Sequence, residues 1–93
     1  MRHGIRFVAD RNKARSNPRK HGVSFEQAAE AFFDPFLKII DASGQDETRD
    51  AIIGCDETGR LLFVVHLLLE NDRIRLISAR RATREERRSY EDD

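Results

Sequence analysis

The sequence has no tryptophan and only one cysteine, one methionine, one tyrosine and two prolines among its 93 residues. The single cysteine, Cys55, excludes an internal disulfide, and no cluster of histidine and cysteine residues accompanies it to indicate a metal site. We therefore expect Cys55 to be a buried structural thiol, and we expect the protein to need no metal or other cofactor.

Long hydrophobic runs are also missing. No apolar segment approaches the roughly 20 residues that a membrane-spanning helix needs, and the N-terminal MRHGIRFVAD lacks the apolar stretch of a signal peptide. These features predict a cytoplasmic protein with no membrane partner. A chain of 93 residues, 39% hydrophobic and 37% charged, suits one domain over residues 1–93, of marginal stability unless its core is well packed.

The chain as a whole has no excess of positive or negative charge, but its basic and acidic residues are concentrated in different segments. The formal net charge is zero, yet residues 1–21 contain seven Lys or Arg and one Asp, residues 22–72 contain three against eleven acidic residues, and residues 73–93 contain seven against five. If the fold joins the two ends, they form a surface that attracts phosphate, and the acidic middle is available to a basic partner. The alternative is ordinary solvated surface charge.

Residue periodicity and capping signals predict two helices after a short first strand, GIRFVA. Asp10 is placed to cap the first helix, in which Pro18 predicts a kink or an interruption. Gly22 is suited to end that helix in the left-handed conformation. Ser24 and Gln27 then form a capping box for a second helix, FEQAAEAFF, whose apolar residues recur at helical spacing and should pack in the core.

The second half of the chain has the pattern of β-strands. FLKIID, RDAIIGCD, LLFVVHLLL and IRLISAR are rich in β-branched and aliphatic residues, and ASGQDE, ETG and END separate them. They predict an antiparallel meander, with about five strands in all if the first strand joins it. LLFVVHLLL is the best candidate for a central strand, and it makes His66 more typical of a core histidine than of a catalyst. Thr83 and Glu86 form a capping box for a charged C-terminal helix.

Several short segments, in this order, resemble a known family. They are Lys13, Asn17, KHGVSFEQA from Lys20, the Asp-Pro pair at Asp34, Arg49, and then IRLISARRAT and REERRSYE. Together they are similar to the BrnT toxins of bacterial type II toxin-antitoxin modules, and the similarity extends over nearly the whole chain. KHGVSFE and ISARRAT are specific in combination, although neither is specific alone.

Two residues depart from the usual BrnT pattern. Ala9 stands where an aromatic residue commonly precedes the aspartate, and Pro18 stands where a helix former is usual. These departures leave the family resemblance intact, but they put the geometry around Lys20 in question.

The resemblance implies a RelE-like α+β fold with an N-terminal strand and two helices, an antiparallel meander sheet and a C-terminal helix. It also implies a metal-independent endoribonuclease that inhibits translation and is neutralised by a BrnA-like ribbon-helix-helix antitoxin. That antitoxin would dimerise, carry two toxin chains in a heterotetramer, cover the cationic site and make all contacts with DNA. The alternative is a weak or decayed toxin that acts as an antitoxin-binding co-repressor.

Metal-free RNA cleavage uses the 2′-hydroxyl as nucleophile, so the protein must supply proton transfer and positive charge. Histidine suits proton transfer near neutral pH, and lysine or arginine suits phosphate. From the resemblance we predict catalytic roles for Lys20, His21, Arg49 and Arg80, and RNA-binding roles for Lys13, Arg75, Arg81 and Tyr90.

Some of these residues have a structural alternative. Lys20 and His21 are also suited to the negative end of a helix dipole. The Tyr90 ring either contacts RNA or anchors the last helix. Arg75 and Arg80 lie on opposite faces of an ideal strand, so they share a site only if the strand twists or ends before Arg80.

Overall fold

In the computed structural model, which describes residues 4–40 and 49–92, three helices pack against one five-stranded sheet. In chain order the elements are β1 (Arg6–Ala9), α1 (Arg11–His21), α2 (Phe25–Ala31), β2 (Lys38–Ile40), β3 (Asp50–Cys55), β4 (Leu61–Leu69), β5 (Arg73–Arg81) and α3 (Arg84–Glu91). The predicted α+β architecture is confirmed. The turn predicted over residues 42–47 lies outside the described residues.

The strand order in the sheet is β1-β5-β4-β3-β2. Strands β2 to β5 form the predicted antiparallel meander, with β4 in the centre. The first strand joins the sheet as predicted, and it pairs in parallel with β5 through Ala9 and Leu76 at its far end. A parallel pair needs a long crossover, and here the rest of the chain between β1 and β5 supplies it.

The two faces of the sheet are covered differently. Helices α1 and α2 cover one face, where Val23, Phe25 and Ala28 pack against β-strand residues that include Val64 and Ala79. We call this the helix face. Helix α3 lies over the opposite face, which we call the α3 face, and none of its residues is buried. None of the helices in the described part of the chain has the length and apolar content to cross a membrane.

Gly54 marks the closest approach of α2 to the sheet. A Cβ atom at this position would lie 2.6 Å from the carbonyl oxygen of Ala31, which is shorter than any normal contact. The absence of a side chain at residue 54 therefore lets the end of α2 pack directly on β3.

The predicted helix ends are all present. Asp10 caps α1 by accepting from the backbone N–H groups of Asn12 and Lys13, and Gly22 ends it with φ of 70°. Both capping boxes form, at the starts of α2 and α3. Of the kink or interruption predicted at Pro18, the interruption is wrong, because α1 is helical through it to His21. Pro18 lies in the last turn, so its missing N–H costs a single helical hydrogen bond.

His66 is a core residue, as its strand position predicts. The residue is 3% exposed, its ring lies edge-on to Phe32 at 4.8 Å between centroids, and Nδ1 is 3.4 Å from the carbonyl oxygen of Val64. Burial lowers the pKa of His66, and the Val64 carbonyl and the charge of Asp50 only partly oppose this. The imidazole therefore stays neutral in the folded protein at pH values where an exposed histidine is charged.

The buried His66 should make stability fall on mild acidification. Below an ordinary histidine pKa of 6.5 the unfolded chain binds a proton that the folded chain does not, so the free energy of unfolding decreases as pH falls. We expect urea unfolding between about pH 7.5 and pH 5 to show this slope, with a limit of roughly 1.4 kcal/mol per pH unit. His66→Gln should flatten the slope, and an unchanged slope in this variant would contradict the assignment.

Candidate functional site

A bulge in β5 brings two of the predicted arginines onto the same face of the sheet. Arg75 lies opposite Leu67 of β4 and Arg80 lies opposite Phe63, and the register shifts by one residue between them, at Ile77. Side chains alternate along a strand, so one extra residue gives Arg75 and Arg80 the same orientation, toward the α3 face. The bulge therefore places both arginines on one face without the strand twist or early strand end that the sequence predicted would be required.

Arg80 is held by two different contacts. Its Nη1 and Nη2 donate to Oε1 and Oε2 of Glu86, both at 2.8 Å, and its guanidinium carbon lies 4.5 Å from the ring centroid of Phe63. Nη1 also donates to the carbonyl oxygen of Arg81 at 3.2 Å. The hydrogen bond with Glu86 raises the pKa of Arg80, and the same contact lowers the pKa of Glu86. Both groups are therefore charged across the physiological pH range.

Glu86 of α3 binds both the end of β5 and the start of its own helix. Besides binding Arg80, its Oε1 accepts the backbone N–H of Thr83 at 2.9 Å, which completes the capping box of α3. This confirms the capping box that the sequence predicts for Thr83 and Glu86. The start of α3 is thus fixed to the end of β5 through a single carboxylate.

Lys20 and His21 are exposed at the end of α1. Within the described residues neither side chain has a hydrogen bond or an ion pair. Their position is set by Asn17, one turn earlier, which is 4% exposed. Both side chains are thus available to a ligand, on a helix that a buried residue holds in place.

The side chain of Asn17 joins α1 to the edge of β5. Its Nδ2 donates to the carbonyl oxygens of Val23 and Ala79, at 2.7 and 2.8 Å, and its Oδ1 accepts the backbone N–H of Ala79 at 3.2 Å. The strand β1 ends opposite Leu76, so it leaves this part of the β5 edge unpaired. The amide of Asn17 therefore satisfies backbone groups that a neighbouring strand would otherwise satisfy.

The same contact brings the end of α1 to the end of β5. Helix α1 continues in the direction of β1, from the level of Leu76 to that of Ala79. Lys20 and His21 lie three and four residues after Asn17, at the end of α1. The last turn of α1 therefore follows directly on a contact with the residue that precedes Arg80.

Four of the predicted site residues belong to these two ends. We call Lys20, His21, Arg80 and Arg81 the cationic cluster. Arg81 lies opposite Leu62, so it points toward the helix face, whereas Arg80 points toward the α3 face. The cluster therefore surrounds the end of β5 rather than lining one flat surface.

The other predicted cations lie further away. Arg49 directly precedes β3, two strands from Arg80 and about 13 Å along the strand direction from it. Arg75 lies near the other end of β5, and Lys13 lies in the first turn of α1, two turns before Lys20. Lys13, Arg49 and Arg75 are exposed. The structure does not place them in the cluster.

Tyr90 is part of a polar network that anchors α3. Its hydroxyl donates to Oδ2 of Asp34 at 2.6 Å and lies 3.9 Å from the sulfur of Cys55, while the backbone N–H of Cys55 also donates to Asp34. Burial and the bond to Asp34 raise the pKa of Tyr90, so the phenol stays protonated. This geometry favours the anchoring alternative. Cys55 is half-buried, which corrects the expectation of a buried thiol.

Three features of the site were missed at the level of sequence. They are the ring of Phe63 beneath Arg80, the contact of Asn17 with Ala79, and Lys38, whose Nζ donates to the carbonyl oxygens of Ser89 and Asp92 at 2.7 Å. Of these residues only Asn17 could have been found from the sequence, because it is part of the family pattern. No group of His, Cys, Asp or Glu residues within 4–40 and 49–92 is arranged to hold a metal ion.

One known protein family matches most of the chain. The family model described as ribonuclease toxin, BrnT, of type II toxin-antitoxin system, matches residues 10–86. The chain belongs to the BrnT family. Type II modules pair a toxin with an antitoxin, so an antitoxin partner is implied for this BrnT chain.

A solved BrnT structure has the same fold. The crystal structure of the Brucella abortus ribonuclease toxin, BrnT, matches with a TM-score of 0.69 and 20% sequence identity, covering 86% of this chain and 99% of that chain. No curated protein matches the sequence. The family match and the fold match together confirm the BrnT assignment that the sequence motifs predict.

Proposed function

We propose that this BrnT chain is a metal-independent endoribonuclease that inhibits translation by cutting RNA in the cytoplasm. The observation that supports this most is the contact of Asn17 with Ala79, which joins α1, with Lys20 and His21 at its end, to β5, with Arg80 and Arg81 at its end. Such a set supplies proton transfer and phosphate binding without a metal ion.

In the proposed reaction the 2′-oxygen of a ribose attacks the adjacent phosphorus, and the bond from phosphorus to the 5′-oxygen breaks. The proton of the 2′-hydroxyl passes to a base, and the leaving 5′-oxygen receives a proton. We assign proton transfer to His21 and phosphate binding to Lys20 and Arg80, since arginine and lysine stabilise charge that develops on the phosphate oxygens. The products carry a 2′,3′-cyclic phosphate and a 5′-hydroxyl.

The remaining cations are assigned to the RNA strand on either side of the cut. Arg81 lies within the cluster, whereas Lys13, Arg49 and Arg75 are too distant for one phosphate group and suit neighbouring phosphates. The catalytic role predicted for Arg49 thus becomes a binding role in this proposal. Tyr90 is assigned to the anchoring of α3, because its hydroxyl is bonded to Asp34.

We propose that the antitoxin is a BrnA-like ribbon-helix-helix protein in a complex of two toxin and two antitoxin chains. In this arrangement the antitoxin covers the cationic cluster and makes all contacts with DNA. One observation supports a second candidate function, a weak toxin that serves as an antitoxin-binding co-repressor. Arg80 forms an ion pair with Glu86, which reduces the charge offered to RNA.

The test is cleavage of RNA by the purified, antitoxin-free protein in the presence of EDTA. We expect fragments that end in a 2′,3′-cyclic phosphate, and we expect no cleavage of the same sequence made with 2′-deoxyribose. Loss of activity in EDTA would contradict metal independence. Absence of cleavage, with retained binding to the antitoxin, would support the co-repressor.

A further inference from the structure

We propose that the Nε–Nη2 edge of Arg80 is the phosphate-binding edge of the cluster, and that Glu86 and Phe63 are positioning residues for it. This inference rests on the proposed function, because it specifies how one residue of the proposed site contacts RNA. It assigns a role to the Arg80–Glu86 ion pair. Without such a role, Glu86 would only compete with RNA for Arg80.

The donor geometry of arginine decides which atoms are available. A guanidinium group has five N–H bonds in a fixed plane, and these form an end edge of Nη1 and Nη2 and a side edge of Nε and Nη2. Glu86 occupies the end edge with two bonds of 2.8 Å, and the carbonyl of Arg81 takes the second N–H of Nη1. Nε and the second N–H of Nη2 have no acceptor among the described residues.

The available edge matches what a phosphate group requires. Two parallel N–H donors bind two oxygens of one phosphate, which is the geometry that arginine provides and lysine does not. The Arg80 side chain is 37% exposed, so solvent and ligands reach it, whereas the Glu86 side chain is only 21% exposed. The carboxylate thus lies on the inner side of the pair.

Phe63 and Glu86 together fix the plane of the guanidinium. The ring of Phe63 supports one face at 4.5 Å, and the two bonds from Glu86 prevent rotation in that plane. Glu86 is itself held by the N–H of Thr83. A long arginine side chain normally loses rotamer entropy when it binds a ligand, and here the fold has already fixed it.

The alternative role for Glu86 predicts the opposite result. If the carboxylate mainly neutralises Arg80, its removal strengthens RNA binding and raises cleavage. If it positions Arg80, its removal lowers kcat, because misplacement of a catalytic contact by about 1 Å can cost up to 10²-fold.

The experiment compares Glu86→Gln with Glu85→Gln. Both variants remove one carboxylate from the first turn of α3, but Glu85 is exposed and its side chain has no hydrogen bond or ion pair with a described residue. Glutamine at residue 86 keeps an acceptor for the Thr83 N–H. We expect Glu86→Gln to lower kcat about tenfold or more with a smaller change in KM, and Glu85→Gln to leave both unchanged. An increase in kcat with Glu86→Gln would overturn the positioning role.

A double variant separates positioning from a general effect on α3. Combining Glu86→Gln with Arg80→Ala should give the rate of Arg80→Ala alone, because Glu86 acts through Arg80. If Glu86→Gln lowers the rate by the same factor in both backgrounds, Glu86 acts through the helix and the proposal is wrong. Phe63→Leu, which keeps an apolar side chain without the ring face, should lower kcat in the same direction.

A binding readout distinguishes failure of this inference from failure of the proposed ribonuclease activity. The readout is an NMR titration of the protein with the uncleavable 2′-deoxy oligonucleotide. The Nε–H resonance of Arg80 should shift in the unmodified protein and in Glu85→Gln. The shift should be lost in Glu86→Gln. A shift without cleavage of ribose RNA would retain this inference and contradict the activity. No shift in the unmodified protein at saturating oligonucleotide would contradict the phosphate-binding edge.

Discussion

Replacement of Arg80 by alanine is expected to lower the rate of RNA cleavage by about 10² to 10³-fold, the usual loss when a preorganised electrostatic donor is removed. Lysine at residue 80 should restore little of the rate, because an ammonium group keeps the charge but lacks the two-donor edge and cannot pair with both oxygens of Glu86. The measurement is kcat and KM for Arg80→Ala and Arg80→Lys with one RNA substrate, in EDTA.

Arg84→Ala is the matched control for this loss. Arg84 is exposed in the first turn of α3, and its side chain has no ion pair within the described residues. Its replacement by alanine removes one positive charge, as Arg80→Ala does. We expect this variant to cleave at nearly the full rate. Equal losses in Arg84→Ala and Arg80→Ala would show that overall charge matters and that Arg80 has no specific role.

Replacement of Asn17 by alanine is expected to give the largest loss of stability of any single polar substitution discussed. It leaves the N–H and carbonyl of Ala79 and the carbonyl of Val23 without their partner in a buried place. Each unsatisfied buried group costs about 1–3 kcal/mol, so the total should be about 3 kcal/mol or more. In a domain of this size that lowers the melting temperature by more than about 10 °C.

Two further variants test the cause of this loss. Ser16→Ala removes a neighbouring side chain whose hydroxyl makes only a 3.4 Å bond to Lys13, and it should change the melting temperature by a degree or two. Asn17→Asp should be at least as damaging as alanine at neutral pH, because a carboxylate would face the carbonyl oxygens of Val23 and Ala79. A melting temperature of Asn17→Ala close to that of the unmodified protein would show that water satisfies the β5 edge.

Local sequence signals were enough to predict the helices and strands and where the helices begin and end. Asp10, Gly22 and the two capping boxes each bind groups no more than four residues away in the chain, so their roles are readable from spacing alone. The meander was predictable because short turns leave antiparallel neighbours as the simplest pairing. Pro18 does not interrupt α1, because the cost of proline depends on its place in the helix and is small in the last turn.

Family motifs, rather than periodicity, identified the residues of the candidate site. The motif residues around Lys20 and Arg80 carried the BrnT assignment, which the match over residues 10–86 confirms. Their roles stay predictions, since charge and residue type describe RNA binding and RNA cleavage equally well. The parts of the site that position these residues come from distant segments, as when Phe63 supports Arg80 from the neighbouring strand.

The sequence by itself determined the order of helices and strands, the core role of His66 and the segregation of basic residues to the two ends, because each depends on neighbours in the chain. Only the tertiary structure decided how those ends meet. The bulge at Ile77 reverses the orientation expected for Arg80 relative to Arg75, and Asn17 joins α1 to a strand 62 residues away. Both depend on backbone hydrogen bonds between segments far apart in the chain, and such pairings follow from global packing, which no local pattern encodes.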